Sequence, residues 1–234
     1  MFSFLVNLPQ RVFNKTWRVL QLRIARAREQ RLNALVDAGG GRFVIASPGL
    51  KVELWKGSGA RLVLHGDVVI RSDLGGDRPV KIAIASNGTM EVLGEFAIGD
   101  GVLIIVGDNA RLSIGGRKRE SGSGITCDSK IFVSKVVEIG TDFICAWQVF
   151  ITDSDHHYIK GQPPSLPVRI GDHVWIAFGA AVLKGSQIGD GCIVAAHSVV
   201  HRQTFPPHSL IAGIPARVAR SQVEWSRDIP REAM

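Results

Sequence analysis

Branched aliphatic residues recur every six positions through the second half of the chain. The longest ladder consists of Ile170, Ile176, Val182, Ile188, Val194 and Val200. Four residues further on, the first five repeats carry a small or short side chain, at Val174, Ala180, Ser186, Cys192 and Ser198. A helix would not keep a six-residue phase, and a strand of period two needs no small residue at one fixed offset. The period therefore predicts a solenoid of stacked triangular coils, each with three six-residue faces.

Two shorter ladders precede the long one. They consist of Val133, Ile139, Cys145 and Ile151, and of Ile98, Ile104 and Ala110. The next inward position after Ile151 is occupied by His157, and the ladder restarts only at Ile170. Three prolines lie between these points, and proline cannot donate to a strand ladder. We therefore predict a loop over residues 157–169, which is either functional or a simple insertion.

The amino-terminal part of the chain predicts a helix over residues 10–36. Its apolar positions follow helical spacing, at Phe13, Trp17, Leu20, Ile24 and Ala27, and basic residues cover much of the remainder. Two interpretations stay open. The stripe packs on the solenoid or on a neighbouring subunit, or the basic amphipathic helix lies on an anionic membrane surface.

The predicted architecture is an all-β solenoid with three parts. Residues 1–41 form a basic amphipathic helical segment, residues 42–204 form the β-helix, and residues 205–234 form a return strand and cap with a short helix at 221–231. The first coils are less regular, with predicted strands at 43–45, 52–54, 62–64, 68–70 and 82–84.

Composition narrows the function classes. The chain has 234 residues and is 45% apolar, and it has no apolar run long enough for a transmembrane helix. The net charge is +7, but residues 1–42 hold eight Lys or Arg against two acidic residues, so a general nucleic-acid surface is not indicated. Cys127, Cys145 and Cys192 lack metal-like spacing and predict reduced packing residues in a cytoplasmic protein, with no metal.

Three segments on this ladder resemble the hexapeptide-repeat acyltransferases, most closely the bacterial sugar and polysaccharide O-acetyltransferases. They are residues 151–157 (ITDSDHH), 174–180 (VWIAFGA) and 211–217 (IAGIPAR), and the resemblance covers residues 95–220. It implies a left-handed parallel β-helix, an exception to the usual right-handed crossover. It also implies a homotrimer with active sites between subunits and acetyl-CoA as the acyl donor.

The resemblance places the catalytic base in the segment 151–157. An ungapped match puts the base at His156, which also lies on the outward phase of the ladder. Some relatives instead have an Asp-x-Asp-x-His motif, which would put the base at His157. A histidine side chain titrates near pH 6.5, so it can take a proton from a sugar hydroxyl and return one to the departing thiolate. Asp153 or Asp155 could fix the imidazole tautomer, or both could be turn formers.

Further site residues follow from the same resemblance. Trp175 is an outward residue expected to contact the sugar or line the cofactor channel, and Trp147 and Gln148 are candidate acceptor-site residues one coil earlier. Small residues for the pantetheine arm and cations for the nucleotide phosphate are expected at Ala177, Gly179, Ala195, Ala196, Arg202 and Arg217. Ala177, Ala195 and His197 stand where the family usually has glycine or another small residue.

The sequence therefore predicts an acetyl-CoA-dependent O-acetyltransferase that acts on a carbohydrate hydroxyl in surface polysaccharide biosynthesis. The protein is expected in the cytoplasm. The alternative interpretation of the first helix adds peripheral contact with the inner face of the membrane. Alternatives are an amino-sugar N-acetyltransferase and a non-catalytic β-helix scaffold. A zinc enzyme on the same scaffold is disfavoured, because the seven histidines form no His-x₄-His pair.

Overall fold

The computed structural model describes residues 10–72, 75–117 and 122–228, with side chains from residue 19 onward. One helix, α1 (Gln10–Asn33), precedes a parallel solenoid. Sheet 1 contains β1 (Phe43–Ile45), β4 (Val68–Ile70), β7 (Phe96–Ile98), β10 (Gly124–Ile125), β13 (Ile144–Cys145), β16 (Trp175–Ile176), β19 (Ile193–Val194), β22 (Ser209–Gly213) and β23 (Ala216–Ser221).

Two further sheets complete the triangular section. Sheet 2 contains β2 (Val52–Lys56), β5 (Val80–Ile84), β8 (Leu103–Val106), β11 (Lys130–Val133), β14 (Phe150–Thr152), β17 (Ala181–Val182) and β20 (Val199–Val200). Sheet 3 contains β3 (Arg61–Leu64), β6 (Thr89–Val92), β9 (Arg111–Gly116), β12 (Val136–Thr141), β15 (Val168–Ile170), β18 (Gln187–Ile188) and β21 (Thr204–Phe205). The chain visits the three sheets in this order in every coil.

The six-residue ladder forms the core, as predicted. Ile176 pairs with Cys145 on one side and Val194 on the other, so each inward side chain stacks on its equivalent in the next coil. The ladder residues from Ile170 to Val200 are all buried, and so are the small side chains at the fixed offset. Each buried aliphatic side chain stabilises the fold by about 2 kcal/mol. The five early strands predicted from the sequence are also present.

The helix packs on the first coil through a different face from the predicted stripe. Ala25 and Leu32 are buried, and the side chain of Asn33 exchanges hydrogen bonds with the backbone of Phe43 at 2.7 and 3.1 Å. By contrast, Leu20 and Ile24 are each more than 40% exposed. Packing of the stripe on the chain's own solenoid is therefore wrong for Leu20, Ile24 and Ala27, all of which are exposed. The side chains of Phe13 and Trp17 lie outside the described residues.

Two predicted boundaries differ in the structure. β14 ends at Thr152 and β15 begins at Val168, so the projecting loop begins and ends earlier than the predicted 157–169. The short C-terminal helix predicted at 221–231 is wrong over its described part, because Ser221 ends β23 and residues 222–228 contain no helix. Residues 229–231 lie outside the described part. β23 returns antiparallel along β22, which covers the edge that a further coil would occupy.

Among the described residues, no helix is both long and apolar enough to cross a bilayer, since α1 is too polar and no other long helix is present.

Candidate active site

His156 stands just beyond the end of β14, over the outer face of sheet 2. Its backbone is left-handed, with φ of 58°, and its N–H donates to the hydroxyl of Ser154 at 3.0 Å. The imidazole Nε2 lies 3.4 Å from the hydroxyl oxygen of Thr152, and the ring meets Phe132 edge-on at 6.1 Å between centroids. The side chain is thus fixed on its inner side while the residue stays exposed to solvent.

His157 is also exposed, on the loop side of the same turn. Its Nδ1 lies 3.3 Å from the carbonyl oxygen of Asp155. The ladder would have directed position 157 into the core, but the chain leaves the sheet after Thr152 and the inward phase ends there. Both histidines therefore remain accessible, and the assignment of the base to His156 stays a prediction.

Asp153 is completely buried and its carboxylate holds a corner of the coil. One oxygen accepts the N–H of Ser134 at 2.7 Å, and the other accepts the N–H groups of Lys135 and Val136 at 2.7 and 2.6 Å. Three backbone donors occupy this carboxylate, which is the pattern of a structural turn residue. Across the described ranges, no contact joins Asp153 to the imidazole of His156.

Asp155 pairs instead with a buried lysine. The ammonium of Lys184 forms an ion pair with the Asp155 carboxylate and donates to the carbonyl oxygen of Pro163 at 2.8 Å. The Lys184 side chain is 2% exposed, whereas that of Asp155 is 28% exposed. Arg202 makes a second contact with this loop, because its guanidinium donates a hydrogen bond to the side-chain oxygen of Gln162 at 2.7 Å. These contacts fasten the loop that follows His156 onto the next coils.

A groove crosses the outer face of sheet 2 beside His156. One cavity is lined by Ile105, Gly107, Phe132, Val133, Ser134 and His156. A second cavity is lined by Arg78, Gly101, Asp128, Lys130, Phe132, Gln148, Val149 and Phe150. Phe132 lines both cavities, so they adjoin each other, and we call the pair the sheet 2 groove. The structure therefore brings the predicted residues Gln148 and His156 to opposite ends of one surface.

Trp175 lies on another face. It belongs to β16 of sheet 1, is 37% exposed, and is 6.0 Å from the ring of Trp225. Trp225 in turn stacks on His173 at 4.1 Å between ring centroids. Trp147 lies at the corner between sheets 1 and 2, where it contacts Phe178 at 5.6 Å. Within one chain the fold thus separates Trp175 from the sheet 2 groove.

Most of the predicted cofactor residues follow one corner of the solenoid. Ala177 and Ala195 occupy equivalent positions in consecutive coils, beside Ile176 and Val194, and Gly179 and Ala196 lie in the turns that follow them. Gly179 has φ of 65°, and a Cβ there would come within 2.7 Å of the His197 ring. His197 occupies the space beside the glycine and stands edge-on to Phe178.

The two predicted arginines lie apart. Arg217 belongs to β23 and pairs in register with Ala212 of β22, one coil beyond Ala195. Its guanidinium donates to the carbonyl oxygen of Ala216 at 2.8 Å. Arg202 sits at the corner between sheets 2 and 3, where it contacts the loop. The structure thus aligns Arg217 with the row of small residues and places Arg202 elsewhere.

All three cysteines are free and buried. Burial raises the pKa of Cys145 to about 12, despite a hydrogen bond with Ser129 that lowers it. Burial likewise raises the pKa of Cys127 and Cys192. Because the thiolate is the nucleophilic form, these side chains are poor nucleophiles at neutral pH.

Three contacts of the site were not predicted from the sequence: those of His156 with Phe132 and Thr152, and the ion pair of Lys184 with Asp155. Phe132 and Thr152 are outward residues beside inward ladder positions, and nothing in the pattern showed that His156 would fold back over them. Lys184 had a signal: it lies two residues after the inward Val182, and strand alternation directs it to the same side. No group of three His, Cys, Asp or Glu suited to a metal ion occurs in the ranges 19–72, 75–117 and 122–228.

Parts of the chain are similar in sequence to known proteins. Residues 167–202 match the family described as bacterial transferase hexapeptide (six repeats). The chain is 36% identical over 105 residues to a probable acetyltransferase of Mycobacterium tuberculosis, covering 42% of this chain and 35% of the relative. It is 38% identical over 98 residues to a putative lipopolysaccharide biosynthesis O-acetyl transferase of Escherichia coli K12, covering 36% and 50%. The chain thus spans half or less of the length of these relatives.

A solved structure shares the fold. The polysialic acid O-acetyltransferase OatWY superposes with a TM-score of 0.58 at 20% identity, covering 83% of this chain and 93% of that chain. The architecture is a left-handed parallel β-helix of hexapeptide repeats, as predicted. The resemblance to the hexapeptide-repeat acyltransferases is likewise confirmed.

Proposed function

We propose that this protein is an acetyl-CoA-dependent O-acetyltransferase that acetylates a carbohydrate hydroxyl during surface polysaccharide biosynthesis. The observation that carries the proposal is the placement of His156. Its imidazole is anchored at one edge and stands open over a groove of aromatic and polar side chains. The relatives that the chain resembles include acetyltransferases, one of them named for lipopolysaccharide biosynthesis.

In the proposed mechanism, His156 acts as the general base. It takes the proton from the acceptor hydroxyl as the oxygen attacks the thioester carbonyl, and the imidazolium then gives that proton to the sulfur as the C–S bond breaks. Acetyl-CoA supplies the acetyl group as a thioester when it is bound. Transfer is direct, and the raised pKa of the buried thiols supports this, because an acyl-cysteine would need a thiolate.

Thr152 positions the base in this mechanism. Its hydroxyl lies 3.4 Å from the Ser154 carbonyl oxygen, which can accept the single hydroxyl hydrogen. The Thr152 oxygen then accepts from Nε2 of His156, so Nε2 carries the ring hydrogen and Nδ1 keeps the lone pair that takes the proton. Asp153 and Asp155 were the other candidates for this role, but Asp153 accepts backbone N–H groups and Asp155 pairs with Lys184.

The row of small residues supports the placement of the acyl donor. Ala177 and Ala195 leave room for close approach of the pantetheine arm along the corner, and Arg217 at its end offers a cation for the nucleotide phosphate. In one chain both this corner and Trp175 lie away from His156, because the corner precedes the strands of sheet 2 and His156 follows β14. A homotrimer would allow the small-residue row and Trp175 of one subunit to reach the groove of another, so the trimer is part of the proposal.

Peripheral membrane contact by α1 is a further part of the proposal. Leu20 and Ile24 are exposed on the helix, and Arg23, Arg26 and Arg31 are exposed around them. An apolar stripe with basic flanks suits the surface of an anionic bilayer.

The test of the function is thiol release from acetyl-CoA with a panel of sugars, oligosaccharides and amino sugars. We expect His156→Ala to lose about 10²- to 10⁴-fold in turnover, the usual contribution of a general base, while CoA binding stays intact. His157→Ala is the matched control and should retain most activity. Unchanged turnover in His156→Ala would reject the assigned base, and exclusive transfer to amines would favour an N-acetyltransferase.

A further inference from the structure

The sheet 2 groove consists of two adjoining cavities. Gln148 lies in the turn before β14, and Thr152 ends that strand. Phe132 and Phe150 form the floor between them, with ring centroids 5.5 Å apart in an edge-on arrangement. His156 lines one of the two cavities, and Gln148 lines the other. A sugar placed with its hydroxyl at His156 therefore leaves the Gln148 end of the groove unfilled.

The far end of the groove presents polar groups suited to a second sugar. The exposed Lys130 lies directly beside Phe150, its register partner in β14. Gln148 is exposed and held in the left-handed region at φ of 59°. In the described part of the chain Lys130 makes no ion pair, whereas Arg78 on the far wall is paired with Asp128. An ammonium and an amide above an aromatic floor provide the hydrogen bonds and stacking surface that sugars use.

We propose that Lys130 and Gln148 form a second acceptor subsite, which binds the sugar unit next to the one that is acetylated. The acceptor is then an oligosaccharide that occupies at least two units of the groove, rather than a free monosaccharide or a nucleotide sugar. The inference rests on the proposed acetyltransferase function and on His156 as its base. It is carried by Phe132, which lines both the His156 cavity and the Lys130 cavity and so places the two side by side.

The experiment measures thiol release from acetyl-CoA with glucose, galactose and sialic acid oligomers of one to six units, and with UDP-glucose. We expect kcat/KM to rise about tenfold or more between one unit and three, because the second unit adds charge-assisted hydrogen bonds. Lys130→Gln should reduce the ratio of kcat/KM for the trimer to that for the monomer by about tenfold.

Lys81→Gln is the matched control for Lys130→Gln. Lys81 is exposed in the same outward row of sheet 2, two coils away, since both residues pair with Leu103. It should leave the chain-length ratio unchanged. Equal kcat/KM at every length, or a preference for UDP-glucose, would overturn the second subsite while leaving the transferase function standing.

Two further outcomes separate the inference from its premise. Thiol release with no member of the panel would overturn the acetyltransferase proposal and the subsite with it. A change in the assembly mass of Lys130→Gln by light scattering would show that Lys130 lies in a subunit contact, and this would also overturn the subsite. An unchanged mass together with a reduced chain-length ratio supports it.

Discussion

The imidazole of His156 is held by the hydroxyl of Thr152, with Nε2 and Oγ1 3.4 Å apart. Thr152 is only 3% exposed and its oxygen also accepts the N–H of Ser154 at 3.3 Å, so the hydroxyl is fixed by its own turn. Base–carboxylate pairs are common in enzymes, yet both neighbouring aspartates are occupied elsewhere. A neutral hydroxyl therefore orients the proposed base.

Thr152→Val should impair turnover without weakening substrate binding. Valine keeps the shape of threonine but lacks the hydroxyl, so the imidazole loses its anchor and its preferred tautomer. We expect kcat to fall about tenfold, the value of one lost hydrogen bond, with KM for the acceptor unchanged. Thr152→Ser, which restores the hydroxyl, should recover most of kcat. An unchanged kcat in Thr152→Val would show that Thr152 does not position the base.

Lys184→Met should loosen the loop that follows His156. The substitution removes the ammonium that binds Asp155 and the Pro163 carbonyl oxygen, while the methionine still fills the buried space. We expect a loss of about 2 kcal/mol in unfolding free energy, less than for a fully buried pair because Asp155 is partly exposed. Limited chymotrypsin digestion near Tyr158 should also accelerate. Lys160→Met, on the exposed loop itself, is the control and should show neither effect.

The cysteines should resist thiol reagents in the folded protein. Burial raises the pKa of Cys145 from 9.0 to about 12, so its thiolate is scarce at pH 8. We expect alkylation at this pH only after denaturation, measured by mass spectrometry. A site that reacts rapidly in the native protein would contradict the buried assignment.

The same raised pKa predicts alkaline destabilisation. A thiol with a higher pKa in the folded state contributes its full stability below the unfolded value near 9 and loses it as the pH rises towards 12. Unfolding free energy measured with denaturant should therefore fall over this window. Cys145→Ala should show a smaller decline than the parent chain, and an identical decline would reject the contribution of Cys145.

Leu20→Glu combined with Ile24→Glu should abolish binding to anionic vesicles if α1 lies on a membrane. The two side chains are exposed, so the changes place charge on the apolar stripe without disturbing the buried Ala25 and Leu32. Sedimentation with phosphatidylserine vesicles measures the effect, with phosphatidylcholine vesicles as the control. Equal sedimentation of variant and parent would end the membrane proposal. A change in assembly mass would instead indicate that the stripe contacts a neighbouring subunit.

The interior of the solenoid was readable from the sequence because its physics is local and repetitive. A six-residue period fixes which side chains face inward, so positions such as Ile176, Val182 and Ile188 could be assigned to the core one by one. The same period exposed the break after Ile151. The end of the chain carried no such period: we expected a return strand followed by a helix at 221–231, whereas β23 continues to Ser221 and residues 222–228 contain no helix. The open edge of β22 favoured the strand.

The candidate site was only partly determined by the sequence. The segment 151–157 identified the histidines, and the outward phase put Gln148 and His156 on the surface. Only the tertiary structure decided the partners of these side chains. The Asp153 carboxylate accepts backbone N–H groups, Lys184 forms an ion pair with Asp155, and the Thr152 hydroxyl contacts the His156 imidazole. The physical reason is that inward positions repeat with the coil and therefore leave a pattern in the chain. The partners of a turn depend instead on which groups from three or four neighbouring coils come within hydrogen-bond distance.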